Sequence, residues 1–547
     1  CRLVGSEMCI RDRSSRELDR ANDNFPERGT IDLGDPGSHS VRFDMANNIS
    51  LAADLRNDPG DTMVVDITPV RAGAEFDGDP VLHYTVDFNP VFDPYRTAGL
   101  PAEGTSMGMP AVGSSGSWTP GKWAFDLPDT GFLFPGDVLH YYISATDAIG
   151  GVGGSDPQTA TLPADLEGYG DFDNPMGYNT SYVIHALPSI REDGAGGFEQ
   201  PEILFINDFA NRGGENEWYT ALNNIGLLSR IDYDIYYVNG PSSGVGNGIG
   251  GRATQLTLDG YWDILYTSGD LSVNTIANGD FNNDAGDDVG TLANWLDLTT
   301  ESRGRDIFLT GDDLASDLAQ AGTQTLDFLQ DRMGVALVTN DVRPLIGTQT
   351  TPLVMAVAGN PVFEGDLQSW IAYGGCAGIN TFDGVNTFGT GQRIAEFTDP
   401  QGQAGQYSYS AATLNILDDE NPSTVNSRVI SMPVDLMFVY TDPNGTPNAL
   451  SGRAQLLEDV LQYFGQVGDP GNVSAVPGAL AFKTSNYPNP FNPSTTIKFS
   501  MPKTGHLSLS VYNVRGQLVK TLIDGVRAAG DDVGTLANWL DLTTESR

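Results

Sequence analysis

Three segments constrain the fold most: EILFIND, DILYTSGD and DIFLTGDD, short apolar runs that each break off into acidic residues. Such a run suits a strand buried on both faces of a sheet and is too short for a helix. YDIYYVNG repeats the scheme, and helical periodicity appears between these runs. In GENEWYTALNNIGLL, Trp218, Leu222 and Ile225 share one face, with Glu215 and Glu217 in the first turn where the helix dipole favours carboxylates. VGTLANWLDL and LASDLAQ are further helices, and SRVISMPVDLMFVYT with SGRAQLLEDVLQYFG closes the region near Gly465. The alternation predicts an open, mostly parallel α/β sheet over residues 201–466, with helices on both faces.

A different period governs residues 40–190. SVRFDMA, TMVVDITPVR, VLHYTVDFN, KWAFDLP and VLHYYISATDA alternate polar and apolar residues between turns such as NDPGDT and LFPGD, which predicts an antiparallel β-sandwich. His83 and His140 fall in these strands and read as structural. Residues 191–200 read as a linker, as do 467–481.

Composition limits the partners. Lys and Arg total 29 against 71 Asp and Glu, a formal charge of -42 that repels nucleic acid and anionic membranes and suits calcium. No stretch approaches the ~20 apolar residues of a transmembrane helix. The cysteines Cys1, Cys9 and Cys376 are too few for a disulfide framework or a Cys-rich zinc site. The opening CRLVGSEMCIRDR has no initiator Met and resembles translated adapter sequence at the ends of metagenome-derived chains, so residues 1–13 are set aside and 14–39 read as a fragment of an upstream region.

Several stretches resemble known families. PGDVLHYYISATDAIGG resembles immunoglobulin-like or fibronectin-like modules of secreted bacterial proteins. The order of elements over 201–466 resembles class I glutamine amidotransferase-like, flavodoxin-like domains; gingipain-type cysteine peptidases use related sheets. Near the C-terminus, Tyr487, Pro488, Asn489, Pro490, Phe491, Asn492 and Pro493 precede a strand, and Leu507, Leu509 and Val511 then alternate with serines. This arrangement resembles the type A sorting domain of type IX (Por) secretion, a small β-sandwich. The resemblance implies export across the outer membrane by the type IX machinery, then release or surface attachment. The fold expected is thus multidomain: a sandwich, an α/β sheet and a sorting sandwich at 482–528, truncated because AGDDVGTLANWLDLTTESR at 285–303 recurs unchanged at 529–547. Real repeats diverge and bring their whole unit. The second copy reads as mis-joined, which predicts an unpaired edge in the sorting domain and a terminal segment that packs poorly or hangs free.

Candidate chemistry gathers at the predicted strand ends. Asp208, Asp270, Asp312 and Asp313 stand where open α/β sheets bind ligands, as a cation site, as an acid/base pair on a glycosidic bond, or as helix caps. The elbow where amidotransferase-like enzymes carry a nucleophilic Cys reads Gly311-Asp312-Asp313-Leu314-Ala315. Gly374-Gly375-Cys376-Ala377-Gly378 matches G-x-C-x-G, but no His lies between His185 and His506 to activate Cys376. Asp280, Asn282, Asp284 and Asp288 resemble a calcium loop in which Ala285 replaces the turning Gly and Thr291 the bidentate Glu. Gly246, Gly248 and Gly251 match a dinucleotide fingerprint only within a glycine-rich run after the second strand, and read as loop. The function expected is a secreted or surface-attached protein whose α/β domain is non-catalytic, with a binding role toward polysaccharide, peptide or calcium, or a structural one. The alternative is a secreted hydrolase, glycoside hydrolase-like through the carboxylates or gingipain-like through Cys376.

Overall fold

The computed structural model describes strands at 31–32 and 63–66, most of 72–466, and five strands between 483 and 536. Stretches outside the described residues include 1–30, 33–62, 113–117, 209–213, 239–248, 277–286, 373–380, 441–448 and 467–482. The chain is mostly β-sheet with few helices, and divides into two compact units at Val467 and Gly468.

The first part of unit 1 holds two sheets. One contains Val81–Asp87, Glu103–Met107, Val138–Ile149, Ser155–Leu162 and Val183–Leu187; the other contains Met63–Asp66, Met109–Val112 and Trp118–Phe125. Leu82, Tyr84 and Val86 of the first share a core with Trp123 and Phe125 of the second. Ile31–Asp32, expected upstream of this region, pairs in parallel with Ala186–Leu187. The expected linker carries a short antiparallel pair, Arg191–Glu192 with Phe198–Glu199. His140 and His185 are buried in strands, and burial pulls their imidazoles down to about 4 and about 3, so both are neutral at physiological pH.

The central sheet is built from β1 (Ile203–Asn207), β2 (Tyr233–Tyr237), β3 (Asp263–Thr267), β4 (Asp306–Thr310), β5 (Val335–Thr339), β6 (Leu353–Ala356), β7 (Ser369–Ala372), β8 (Gly384–Thr387), β9 (Gln392–Thr398), β10 (Ser410–Leu417), β11 (Ser427–Met432) and β12 (Val439–Tyr440). The order is β2-β1-β3-β4-β11-β10-β9-β6-β7-β12, with β5 on β8 and β8 on β10. The helices are α1 (Glu215–Asn224), α2 (Gln255–Asp259), α3 (Asp288–Leu296), α4 (Leu314–Ala321), α5 (Thr323–Asp327) and α6 (Ala449–Phe464). Alternate residues of β1 feed opposite cores: Ile203 and Phe205 pack with Trp218 of α1 and Leu457 of α6, while Leu204 and Ile206 pack with Trp295 of α3 and Leu318 of α4. The expected mostly parallel sheet needs correction. Only β2, β1, β3, β4 and β11 are mutually parallel, and every pairing beyond β11 is antiparallel. The extension comes from residues 335–417, whose short strands join by turns such as Phe388–Gly391 and need no helical crossover.

The region of the two N-terminal sheets is held against β2. Ser189 donates its amide to Asp234 Oδ2 at 2.9 Å, Arg230 pairs with Asp87 at 2.6 Å, and the His185 and Tyr237 rings lie 5.4 Å apart.

In unit 2, Thr495–Met501 lies between Lys483–Tyr487 and Gly530–Leu536, and Gly505–Tyr512 pairs with Leu518–Arg527. The described part of the terminal string departs from the expectation that it hangs free: Gly530–Leu536 pairs antiparallel with Thr495–Met501 in unbroken register, and residues 537–547 lie outside the described residues. An edge strand satisfies its neighbour through backbone groups alone, so a segment of weak β propensity can fill that place.

Candidate functional site

The parallel strands present two edges, one at the starts and one at the ends of their runs. The chain leaves β1 for β2 on one side and returns to β3 on the other, so the β1/β3 boundary is the topological switch point, outside whose C-terminal ends ligands bind in open α/β sheets. Asp208 follows β1, and Ser268, Gly269 and Asp270 follow β3. The Asp208 amide donates to Thr267 O at 2.9 Å, tying the two strand ends together.

Asp208 is fully buried. Tyr266 donates its hydroxyl to Asp208 Oδ2 at 2.9 Å and to Thr275 O at 3.1 Å; Asp208 Oδ1 has no hydrogen-bond partner. Burial, with Asp288 and Asp317 nearby, pushes the Asp208 carboxyl well above the usual range. Asp317, in the first turn of α4, accepts the amide and hydroxyl of Thr275 on Oδ2, both at 2.8 Å.

Asp312 is 1% exposed, and its Oδ1 accepts the Asp435 amide at 3.1 Å. Asp435 is a buried hub on the α1 face. Its carboxylate accepts Trp218 Nε1 at 3.2 Å, Thr310 Oγ1 at 2.7 Å, its neighbour Met437 N at 2.9 Å, and the Thr267 hydroxyl. One carboxylate thereby joins β3, β4, α1 and the turn after β11.

Asp313 occupies the N-cap position of α4 without making a cap bond. The cap comes from Asp383, whose Oδ2 accepts the Ser316 amide at 2.8 Å. Asp313 instead accepts the Thr381 hydroxyl at 2.9 Å and remains partly exposed. Burial, with Asp270, Asp341 and Asp317 adding to it, pushes Asp313 up to about 6; burial with Asp313 nearby pushes Asp383 up to about 8. A Cβ at Gly311 would stand 2.0 Å from Ser268 Oγ, so a larger residue at this elbow would have to turn the Ser268 side chain aside, and the buried Ser268 hydroxyl has no partner. A narrow apolar crevice lined by Gly311, Leu314, Met333, Val385 and Met432 runs beside it.

At the opposite edge arginines pair two of the buried carboxylates, while Asp234 is held by the Ser189 amide and the Tyr261 hydroxyl. Asp306 forms a bidentate pair with Arg428, and Arg303 bridges Glu202 and Asp263 at 2.6 and 2.7 Å. Arg428 also donates to the Tyr463 and Phe464 carbonyls at the end of α6, latching the closing helix to the sheet.

Of the four strand-end candidates, Asp270 and Asp313 stand partly exposed and bear on one another, while Asp208 and Asp312 lie apart from solvent. Asp288 opens α3 and is 2% exposed, while its neighbour Asp287 caps that helix through Gly290 N at 2.8 Å. Asp280, Asn282, Asp284, Cys376, Gly246, Gly248 and Pro488–Pro493 lie outside the described residues; Tyr487 ends the strand Lys483–Tyr487. Asp317, Asp383 and Asp435 were not foreseen. Only Asp435 had a local cue, the Pro-Val-Asp that opens the turn Leu436–Phe438. Among the described residues, no group of three or more His, Cys, Asp or Glu side chains already converges as a metal-ligand set, and no helix is long and apolar enough to cross a membrane.

Residues 485–531 match the family described as a secretion system C-terminal sorting domain. The match supports export by a type IX secretion system and implies secretion or cell-surface attachment. No curated protein matches the chain. Among solved structures, one described as a "putative gmp synthase subunit a protein" from Thermoplasma acidophilum is similar at 11% identity, covering 48% of this chain and 94% of that one, with a TM-score of 0.26.

Proposed function

We propose that this is a secreted or surface-attached protein in which an immunoglobulin-like or fibronectin-like sandwich supports an amidotransferase-like α/β domain of binding or structural role, non-catalytic toward the polysaccharides or peptides it meets outside the cell. The sorting-domain match at 485–531 carries the export half of this reading. The elbow supports the other half: it offers Asp312 and Asp313 in place of a nucleophile, and Asp312 is occupied inside the fold. The test is fractionation of a type IX-competent bacterium expressing the full chain, beside an isogenic strain lacking the secretion pore. Protein outside the competent cells and periplasmic in the mutant is expected; equal export from both overturns the route.

A hydrolase reading keeps one favourable observation, the partly exposed Asp313 held at about 6 beside Asp270, the environment of a general acid. Turnover of a polysaccharide or peptide panel by the intact chain, lost in Asp313→Asn, would establish it and displace the non-catalytic reading.

A further inference from the structure

The first N-terminal sheet ends in an open strand. Glu103–Met107 pairs with Val81–Asp87 on one side, and among the described residues no strand pairs with its other side. Backbone bonds from Val86 N to Ala102 O and from Gly108 N to Pro80 O fix the alternation of the ladder between them. Gly104 and Ser106 therefore bond to Tyr84 and Leu82, whereas Glu103, Thr105 and Met107 turn their amides and carbonyls outward. Proteins blunt such edges with Lys or Pro, and this strand carries neither.

The same three residues send their side chains to the outer face, because their partners Thr85, His83 and Val81 alternate with the core residues Leu82, Tyr84 and Val86. Glu103 and Thr105 are exposed, and Met107 is 56% exposed. His83 stands in register between Thr105 and Tyr142. Its imidazole stacks on Tyr142 with centroids 4.5 Å apart and planes within 8°, and its Nε2 meets Ser144 Oγ at 2.9 Å. The other face of the ring thus looks over the short Thr105 side chain toward the open edge. Charge selects the occupant. The strands Ala74–Phe76, Val81–Asp87, Glu103–Met107, Val138–Ile149 and Ser155–Leu162 carry carboxylates and no Lys or Arg. Such a surface attracts a cationic partner and opposes a second copy of itself.

We propose that the edge Glu103–Met107 takes an extended basic peptide segment of another protein as an added antiparallel strand. Main-chain bonds to Glu103, Thr105 and Met107 supply affinity, and alternate side chains supply specificity. An Arg or Lys opposite Thr105 lies over the His83 ring and reaches the Glu103 carboxylate. The inference goes beyond the proposed function, which gives the sandwich a supporting role, and does not depend on the export route.

The test is fluorescence anisotropy of labelled Thr-Val-Xaa-Val-Xaa-Val-Thr peptides, with Arg, Lys or Glu at both Xaa, titrated with the purified full chain in 150 mM KCl. A further Arg peptide is N-methylated at both arginines, which removes the amides facing the edge and keeps the charge. Expected is saturable binding of the Arg and Lys peptides, one per chain, and none of the Glu peptide. Affinity falls at least about tenfold on N-methylation and in Thr105→Pro, since each removes main-chain bonds. It falls about threefold or more in Glu103→Gln and is unchanged in the exposed control Asp327→Asn. Pro suits position 105 because that amide faces outward; if the variant fails to fold, the N-methylated peptide on the wild-type chain decides. The proposal is overturned if neither basic peptide binds saturably. Equal affinity for the N-methylated peptide also overturns it, as the mark of diffuse attraction to a chain of charge -42. So does a sedimenting dimer that Thr105→Pro dissociates, which assigns the edge to a second copy.

Discussion

Asp208 and Asp270 look alike in sequence, each an acidic residue closing an apolar run, yet one is fully buried and the other reaches solvent. What separates them is tertiary: Tyr266 and Thr275 close over the first. The same holds for the hub at Asp435, whose partners Trp218, Thr267 and Thr310 lie far away in the chain. Removing that carboxylate leaves several buried donors unsatisfied at once. Asp435→Ala should lower the unfolding free energy by roughly 3–5 kcal/mol, read by urea denaturation; a loss under about 1 kcal/mol would show that water replaces the carboxylate freely. The apolar runs of β1 to β4 were legible because burial on both faces writes itself as a continuous apolar stretch. The hub was not, because hydrogen bonds between distant segments leave no periodic trace.

At the scale of elements, one string takes two structures. Asp288–Leu292 lies in α3, and the identical Asp532–Leu536 lies in a strand. Leu292, Trp295 and Leu296 bury one face in the core, and Asp287 caps the start; that context makes the helix. The second copy meets an open edge at Thr495–Met501 and pairs with it. Local sequence therefore permits both, and the neighbours decide. Asp287→Ala should cost about 1 kcal/mol as a lost cap, whereas Asp531→Ala, the same letter of the string, should cost a few tenths at most on an edge strand. Thermal unfolding of the two variants compares them, and equal losses would contradict the assignment. The trans cap from Asp383 predicts likewise that Asp383→Ala costs about 1 kcal/mol or more. The antiparallel extension escaped the sequence reading because its strands are interrupted by polar residues, as in QRIAEFT and SAATLNIL, which carry no continuous apolar run as clear as ILFIN.

At the scale of the whole molecule, charge sets the response to pH. Asp313 sits at about 6, Glu215 at about 7 and Asp383 at about 8, each raised chiefly by burial. Between about 4, the unfolded carboxylate value, and these values the folded chain holds more protons than the unfolded chain. The stabilisation is therefore full on the acid side and lost as pH rises through 6 to 8. Below about pH 6.5 the buried His140 and His185 work in the opposite direction, so the clean window lies above it: the melting temperature should fall from pH 7 to pH 8.5, and a rise over that window would contradict the burial of these carboxylates. The central claim concerns where the protein goes, and its signal is confined to the second unit, residues 468–547. The most direct measurement compares the full chain with a chain ending at Phe482, both expressed in one type IX-competent bacterium and probed by protease added to intact cells and by immunoblot of the medium. The account predicts that the full chain is found outside the cell and the shortened chain stays in the periplasm, folded; equal export of the two would contradict it.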